Sequence, residues 1–194
     1  MKNRRFYKFL YILARPLAAI FMPYRVYGRE NIPDGAAIIC PNHSHILDPI
    51  LVSLAMGFIH FCRHVSKAEA KKNPVYKWLL DTAGSIYVRR GEADIESYKT
   101  CIRTLKAGEK LMIFPEGTRV HGDSVVEPKS GVIRMAARSG APIVPVYIPR
   151  DRKLFRRYPI VFGEPYTIEK AGHEDYDPMA RELMDRIWAL KREE

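Results

Sequence analysis

From residue 31 onward, short apolar runs alternate with stretches of helical period. That alternation specifies an α/β layer architecture. Runs at 36–40, 61–65, 85–89, 110–114, 142–148 and 159–162 predict strands. Helices are predicted over 49–56, 75–83, 131–138 and 178–191, and another between an Asp94 cap and a Gly108 stop. A chain of 194 residues that is 47% hydrophobic suits one domain with a sizeable core. The expectation is a single α/β domain over 29–194, with a mostly parallel β-sheet flanked by helices, and a separate helical segment over 1–28.

That first segment holds the charge asymmetry. Lys2, Arg4, Arg5, Lys8, Arg15, Arg25 and Arg29 carry seven of the net +10 charges, and no acid precedes Glu30. Residues 6–24 are apolar, but Lys8, Arg15 and Pro16 interrupt them, so neither a membrane span nor a secretory signal is predicted. On a helical wheel Arg4, Arg5, Lys8 and Arg15 fall within an arc of about 100°, opposite Phe6, Phe9, Leu10 and Leu13. This is the pattern of an amphipathic helix lying in a membrane interface, with its cations among anionic headgroups. The same apolar face would also pack on a protein core; the aromatic residues and the one-sided cations favour the interface. Pro16 predicts a break, with 17–22 continuing as a second piece.

Two polar segments sit just after predicted strands, where open α/β sheets place their ligand sites. In the first, NHSHILD, His43 and Asp48 form a candidate acid/base dyad: a carboxylate on one imidazole nitrogen fixes the tautomer and leaves the other nitrogen to take a proton. Asn42 is placed to order the turn, while Ser44 and His45 need no chemical role. HSHILD also resembles the HxHxDH zinc-ligand run of metallohydrolases, but its aspartate comes one position late and no histidine follows. His60, His64, His121 and His173 show no ligand spacing. In the second segment, FPEGTR, Gly117 permits a tight turn, Thr118 adds a hydrogen-bond donor and Arg119 offers a planar fork for phosphate oxygens. Glu116 is placed to orient that arginine or to bind a substrate hydroxyl. Lys129, at the predicted start of a helix, is a second candidate anion contact.

The ordered set NHSHILD, SKAEA, GSIYVRR, FPEGTR and VPV resembles the glycerolipid acyltransferase family, particularly bacterial 1-acylglycerol-3-phosphate acyltransferases, over about residues 25–170. The resemblance implies transfer of a fatty acyl group from acyl-CoA or an acyl carrier protein to the sn-2 hydroxyl of lysophosphatidate. Asn42, His43 and Asp48 match the NHxxxxD motif, with the histidine as general base. Arg90 matches the arginine associated with the phosphate-bearing acceptor, and its neighbour Arg89 departs from the usual residue, which leaves open which of the two faces the phosphate. Glu116, Gly117, Thr118 and Arg119 fall in the acceptor-binding motif; Pro145 matches the fourth motif; Lys67 stands near the place of a lysine close to the site. No cofactor and no metal are implied. The implied location is peripheral, on the cytoplasmic face of the membrane.

Cys40, Cys62 and Cys101 are odd in number and form no CxxC pair, which fits neither a disulfide framework nor a zinc knuckle. The positive charge admits a nucleic acid, a lipid surface or an acidic protein as partner. No nucleic-acid motif accompanies it, so no nucleic acid is expected. A second basic run, Arg150, Arg152, Lys153, Arg156 and Arg157, suits an acidic carrier, the phosphates of CoA or lipid headgroups equally.

Overall fold

The computed structural model describes residues 2–89, 94–122, 124–169 and 175–192. Its centre is a seven-stranded sheet in the order β1-β7-β6-β2-β5-β3-β4. The strands are β1 (Tyr24–Tyr27), β2 (Ala37–Pro41), β3 (Cys62–Lys67), β4 (Ile86–Val88), β5 (Lys110–Met112), β6 (Ile143–Tyr147) and β7 (Tyr158–Phe162). All neighbours pair parallel except β6 and β7, which run antiparallel. The six helices are α1 (Lys2–Phe21), α2 (Asp48–Met56), α3 (Pro74–Thr82), α4 (Ile95–Lys106), α5 (Gly131–Ser139) and α6 (Asp177–Ala189).

β2 lies in the middle, and all five of its residues are buried. Its side chains alternate between two cores, as strand geometry requires. Ala37 and Ile39 join Leu51, Val52, Ala55 and Met56 of α2 on one face. Ile38 and Cys40 join Cys101 and Leu105 of α4, Ile133 and Ala136 of α5, and Leu183 and Ile187 of α6 on the other. Sheathed on both sides, the strand can be apolar throughout, which is why its sequence shows no polar alternation.

The predicted strands and helices all form, with ends moved by at most two residues. The Asp94 carboxylate caps α4 by accepting from Ser97 N at 3.1 Å, and Gly140, at φ 72°, closes α5. Two expectations need correction. The break at Pro16 does not occur: α1 is one helix of 20 residues with Pro16 inside it. A proline removes one backbone donor, and good helix formers on both sides carry the helix past it. The other is β1, a short, half-exposed strand without a recognisable pattern, which pairs parallel with β7. The sheet therefore begins at Tyr24, inside the segment 1–28 that the sequence sets apart. Among the described residues no helix is long and apolar enough to cross a membrane.

β6, β2, β5, β3 and β4 run in one direction, so their carboxyl ends share one edge of the sheet. The chain leaves β2 toward β3 and β4 on one side and returns through β5 to β6 on the other. Such a reversal opens a crevice beyond the carboxyl ends of the strands.

Candidate active site

Four of the connections that leave that edge, those after β2, β3, β4 and β5, bring parts of a cleft of about 880 Å³. β2 delivers His43, β5 delivers 113–119, β3 ends on Lys67, β4 ends next to Arg89, and the start of α5 adds Lys129, Gly131, Val132 and Met135.

His43 Nδ1 lies 2.9 Å from Asp48 Oδ2. The chain turns back between them, and the same carboxylate oxygen accepts from Ser44 N and His45 N, each at 2.7 Å. Asp48 therefore anchors the turn as well as the imidazole. Its other oxygen, Oδ1, accepts from the Arg152 guanidinium, and the two side chains are 0% and 3% exposed. Burial, the largest influence, pushes the Asp48 carboxyl up. The hydrogen bond from His43, the Arg152 charge and the two backbone N–H groups together outweigh it and hold the carboxyl below its usual value. An ionised carboxylate only accepts, so the His43 proton sits on Nδ1 and Nε2 remains as the basic nitrogen. The ring, 17% exposed, lines the cleft and stacks on Phe114 with centroids 4.0 Å apart.

A second carboxylate supports His43 from the other side. Glu116 is 2% exposed; it accepts from the His43 backbone N–H and from Arg150 at 2.7 Å. Burial raises its carboxyl above the ordinary value, partly offset by His43 N–H and Arg150. The expectation that Glu116 orients Arg119 is thus corrected: the arginine it holds is Arg150. Gly117, at φ 66°, makes the turn that FPEGTR requires, with its N–H on Phe114 O at 3.0 Å. Val120 N donates to His43 O at 2.8 Å and ties the two motif loops together.

The other predicted residues divide. Lys67, Arg89, Thr118, Arg119 and Lys129 all line the cleft with His43; the four cations share it with Glu69, Glu116 and Glu127, of which Glu116 is already paired with Arg150. Asn42 does not line it. Fully buried, it spends its amide on Ile148, donating from Nδ2 to the carbonyl at 2.8 Å and accepting the N–H on Oδ1 at 2.9 Å. It locks the end of β2 to the end of β6, so its place in the catalytic group is corrected to a positioning one. Arg90 lies outside the described residues, and so does His173. His45 Nδ1 accepts from Leu47 N at 3.2 Å. Among the described residues no three His, Cys, Asp or Glu side chains converge as metal ligands, so the donor set of the zinc alternative is not assembled there.

Arg150 and Arg152 are the residues that the sequence reading misplaced. Their place in a basic run predicts a surface that meets an anionic partner, yet both reach inward to the acids beside His43. The signal was present: in a non-helical run, positions two apart share a face, so Arg150 and Arg152 point one way while Asp151 and Lys153 stay exposed.

The family model described as Acyltransferase matches residues 23–149. A 1-acyl-sn-glycerol-3-phosphate acyltransferase of Bacillus subtilis is 31% identical over 95% of this chain and 96% of its own. A chloroplastic enzyme of the same description from Arabidopsis thaliana is 30% identical over 76% of this chain, which spans 43% of that relative's length. The crystal structure of the 1-acyl-sn-glycerophosphate acyltransferase PlsC from Thermotoga maritima superposes with a TM-score of 0.69, at 23% identity over 96% of this chain and 78% of that one, a likeness of fold.

Proposed function

This chain belongs to the acyltransferase family, and from that premise we propose that it transfers a fatty acyl group from an acyl thioester, of CoA or of an acyl carrier protein, to the sn-2 hydroxyl of lysophosphatidate, giving phosphatidate. The observation that carries the reading is the His43–Asp48 pair opening into a cleft that four cationic side chains also line. A base alone would serve many reactions; Arg119, Lys129, Lys67 and Arg89 in the same cleft favour an acceptor that bears phosphate.

His43 Nε2 takes the proton from the acceptor hydroxyl, whose oxygen attacks the thioester carbonyl. Asp48 stabilises the imidazolium. The tetrahedral intermediate collapses with cleavage of the C–S bond, and the leaving sulfur takes the proton back from His43. The substrate brings its own nucleophile, so the reaction needs no covalent enzyme intermediate. Apolar side chains between the polar ones, among them Ile46, Val65, Phe114 and Met135, offer a lipid chain a surface. The proposed placement is peripheral, on the cytoplasmic face of the membrane; its peripheral part is supported by the lipid acceptor and by α1, which turns Phe9, Ile12, Leu13, Leu17, Ile20 and Phe21 outward.

The test is a matrix of purified acceptors, including glycerol 3-phosphate and non-phosphate lysolipids, against acyl-CoA and acyl-carrier donors, with products identified by mass. Phosphatidate from lysophosphatidate is the expected product. Release of free fatty acid alone, or preferred acylation of an acceptor without phosphate, would refute the reading.

A further inference from the structure

The loop 149–157 between β6 and β7 has a root and a tip of different character. At the root Arg150 and Arg152 are neutralised by Glu116 and Asp48. The tip presents Leu154 and Phe155, 62% and 65% exposed, flanked by exposed Lys153, Arg156 and Arg157 against one exposed acid, Asp151. The tip is joined to α1: Phe155 N donates to Phe21 O at 2.8 Å, and the two rings lie 5.7 Å apart. Phe155 also has φ 62°, a conformation that a residue with a side chain rarely adopts.

We propose that this tip is a second lipid contact, which seats Leu154 and Phe155 in the headgroup–acyl boundary of an anionic bilayer, beside the C-terminal end of α1. The proposal rests on the reading of α1 as an interfacial helix. Its apolar residues extend the outward stripe of α1 through Phe21, and the three cations have the sign that anionic headgroups attract. An acidic carrier protein would also meet those cations, but it gives no reason for two adjacent large apolar side chains to stand in water beside the apolar stripe of a helix. Seating the tip also pins the segment that brings Arg152 to Asp48, so the membrane contact and the dyad share one loop.

The test uses the full chain carrying Leu154→Ser together with Phe155→Asn; asparagine tolerates the positive φ, and both positions are exposed, so folding is retained and urea melting checks it. Vesicles of phosphatidylcholine and phosphatidylglycerol at about 3:1 supply the anionic surface. The variant is expected to partition onto them at least about tenfold more weakly than the parent, and to acylate vesicle-borne lysophosphatidate correspondingly slowly. Its rate on a short-chain, monomeric lysophosphatidate with acyl-CoA should stay unchanged. Partitioning within about threefold of the parent overturns the proposal. So does intact vesicle binding with activity lost only toward an acyl-carrier donor, which would make the loop a carrier dock. If the parent forms no phosphatidate from the soluble acceptor while the variant still loses vesicle binding, the lipid contact stands and the functional reading fails.

Discussion

Arg152→Met removes the guanidinium from Asp48 Oδ1 and leaves an apolar side chain of similar reach. Both partners are buried, at 3% and 0% exposure, so the pair is not one of the screened surface bridges that contribute little. Breaking a buried pair from one side strands the other charge, at a cost of about 3 to 5 kcal/mol. With a urea dependence of about 2 kcal/mol per molar, the unfolding midpoint should fall by roughly 1.5 to 2.5 M at pH 7. Acid should narrow that gap. In the parent, Asp48 is held below its ordinary value of 3.8, so its contribution is complete above about pH 4 and is lost as pH falls through the lower, folded value. In the variant, burial acts with less opposition, the carboxyl rises, and Asp48 takes up its proton at higher pH. Once it is neutral no charge is stranded. Urea unfolding at pH 7 and at pH 4 measures both effects. A midpoint shift below about 0.5 M at pH 7, or a gap that does not shrink in acid, would refute the role assigned to Arg152. Arg152→Lys keeps the charge without the fork and should recover part of the loss.

His43→Ala should lower acylation of lysophosphatidate by at least about 10²-fold with the fold intact, read by steady-state thiol release. Asp48→Asn should impair turnover in the same assay, because the imidazolium loses its carboxylate partner. Gly117→Ala places a Cβ at φ 66° and 3.2 Å from Lys129 Cγ, and should cost about 1 to 2 kcal/mol in chemical denaturation while weakening acceptor binding. His64, half-buried with Ser53 Oγ at 2.9 Å from Nε2, is pushed down to about 4 by loss of water around the ring. It is neutral in the fold and protonated in the unfolded chain below about pH 6.5, so stability should fall between pH 6.5 and 4 by up to about 3 kcal/mol; His64→Gln should flatten that slope in urea melts.

What was legible in the sequence was what short-range pattern encodes. The fully buried strands announce themselves as apolar runs, and the Asp94 and Gly140 caps mark helix ends by their own chemistry. β1 was not legible, because a half-exposed strand of four residues gains its identity only from β7, more than a hundred residues away. The continuity of α1 through Pro16 depends on its neighbours rather than on proline alone.

The same distinction divides the site. His43 and Asp48 are five positions apart, so one turn brings them together and local spacing suffices to propose the pair. Arg152 reaches Asp48 from 104 positions away and Arg150 reaches Glu116 from 34, contacts that exist only once β6 lies beside β2 and Asn42 has bonded Ile148. A basic run in a sequence therefore reads as a surface, and burial sorts it: two arginines turn in to hold the acids beside the base, and Lys153, Arg156 and Arg157 remain outside. The charge that the chain offers to an anionic surface at this loop is accordingly three cations against Asp151, smaller than composition suggests. Leu154 and Phe155 must then supply what electrostatic attraction alone does not, which makes their removal, more than that of any single cation, the decisive perturbation of this loop.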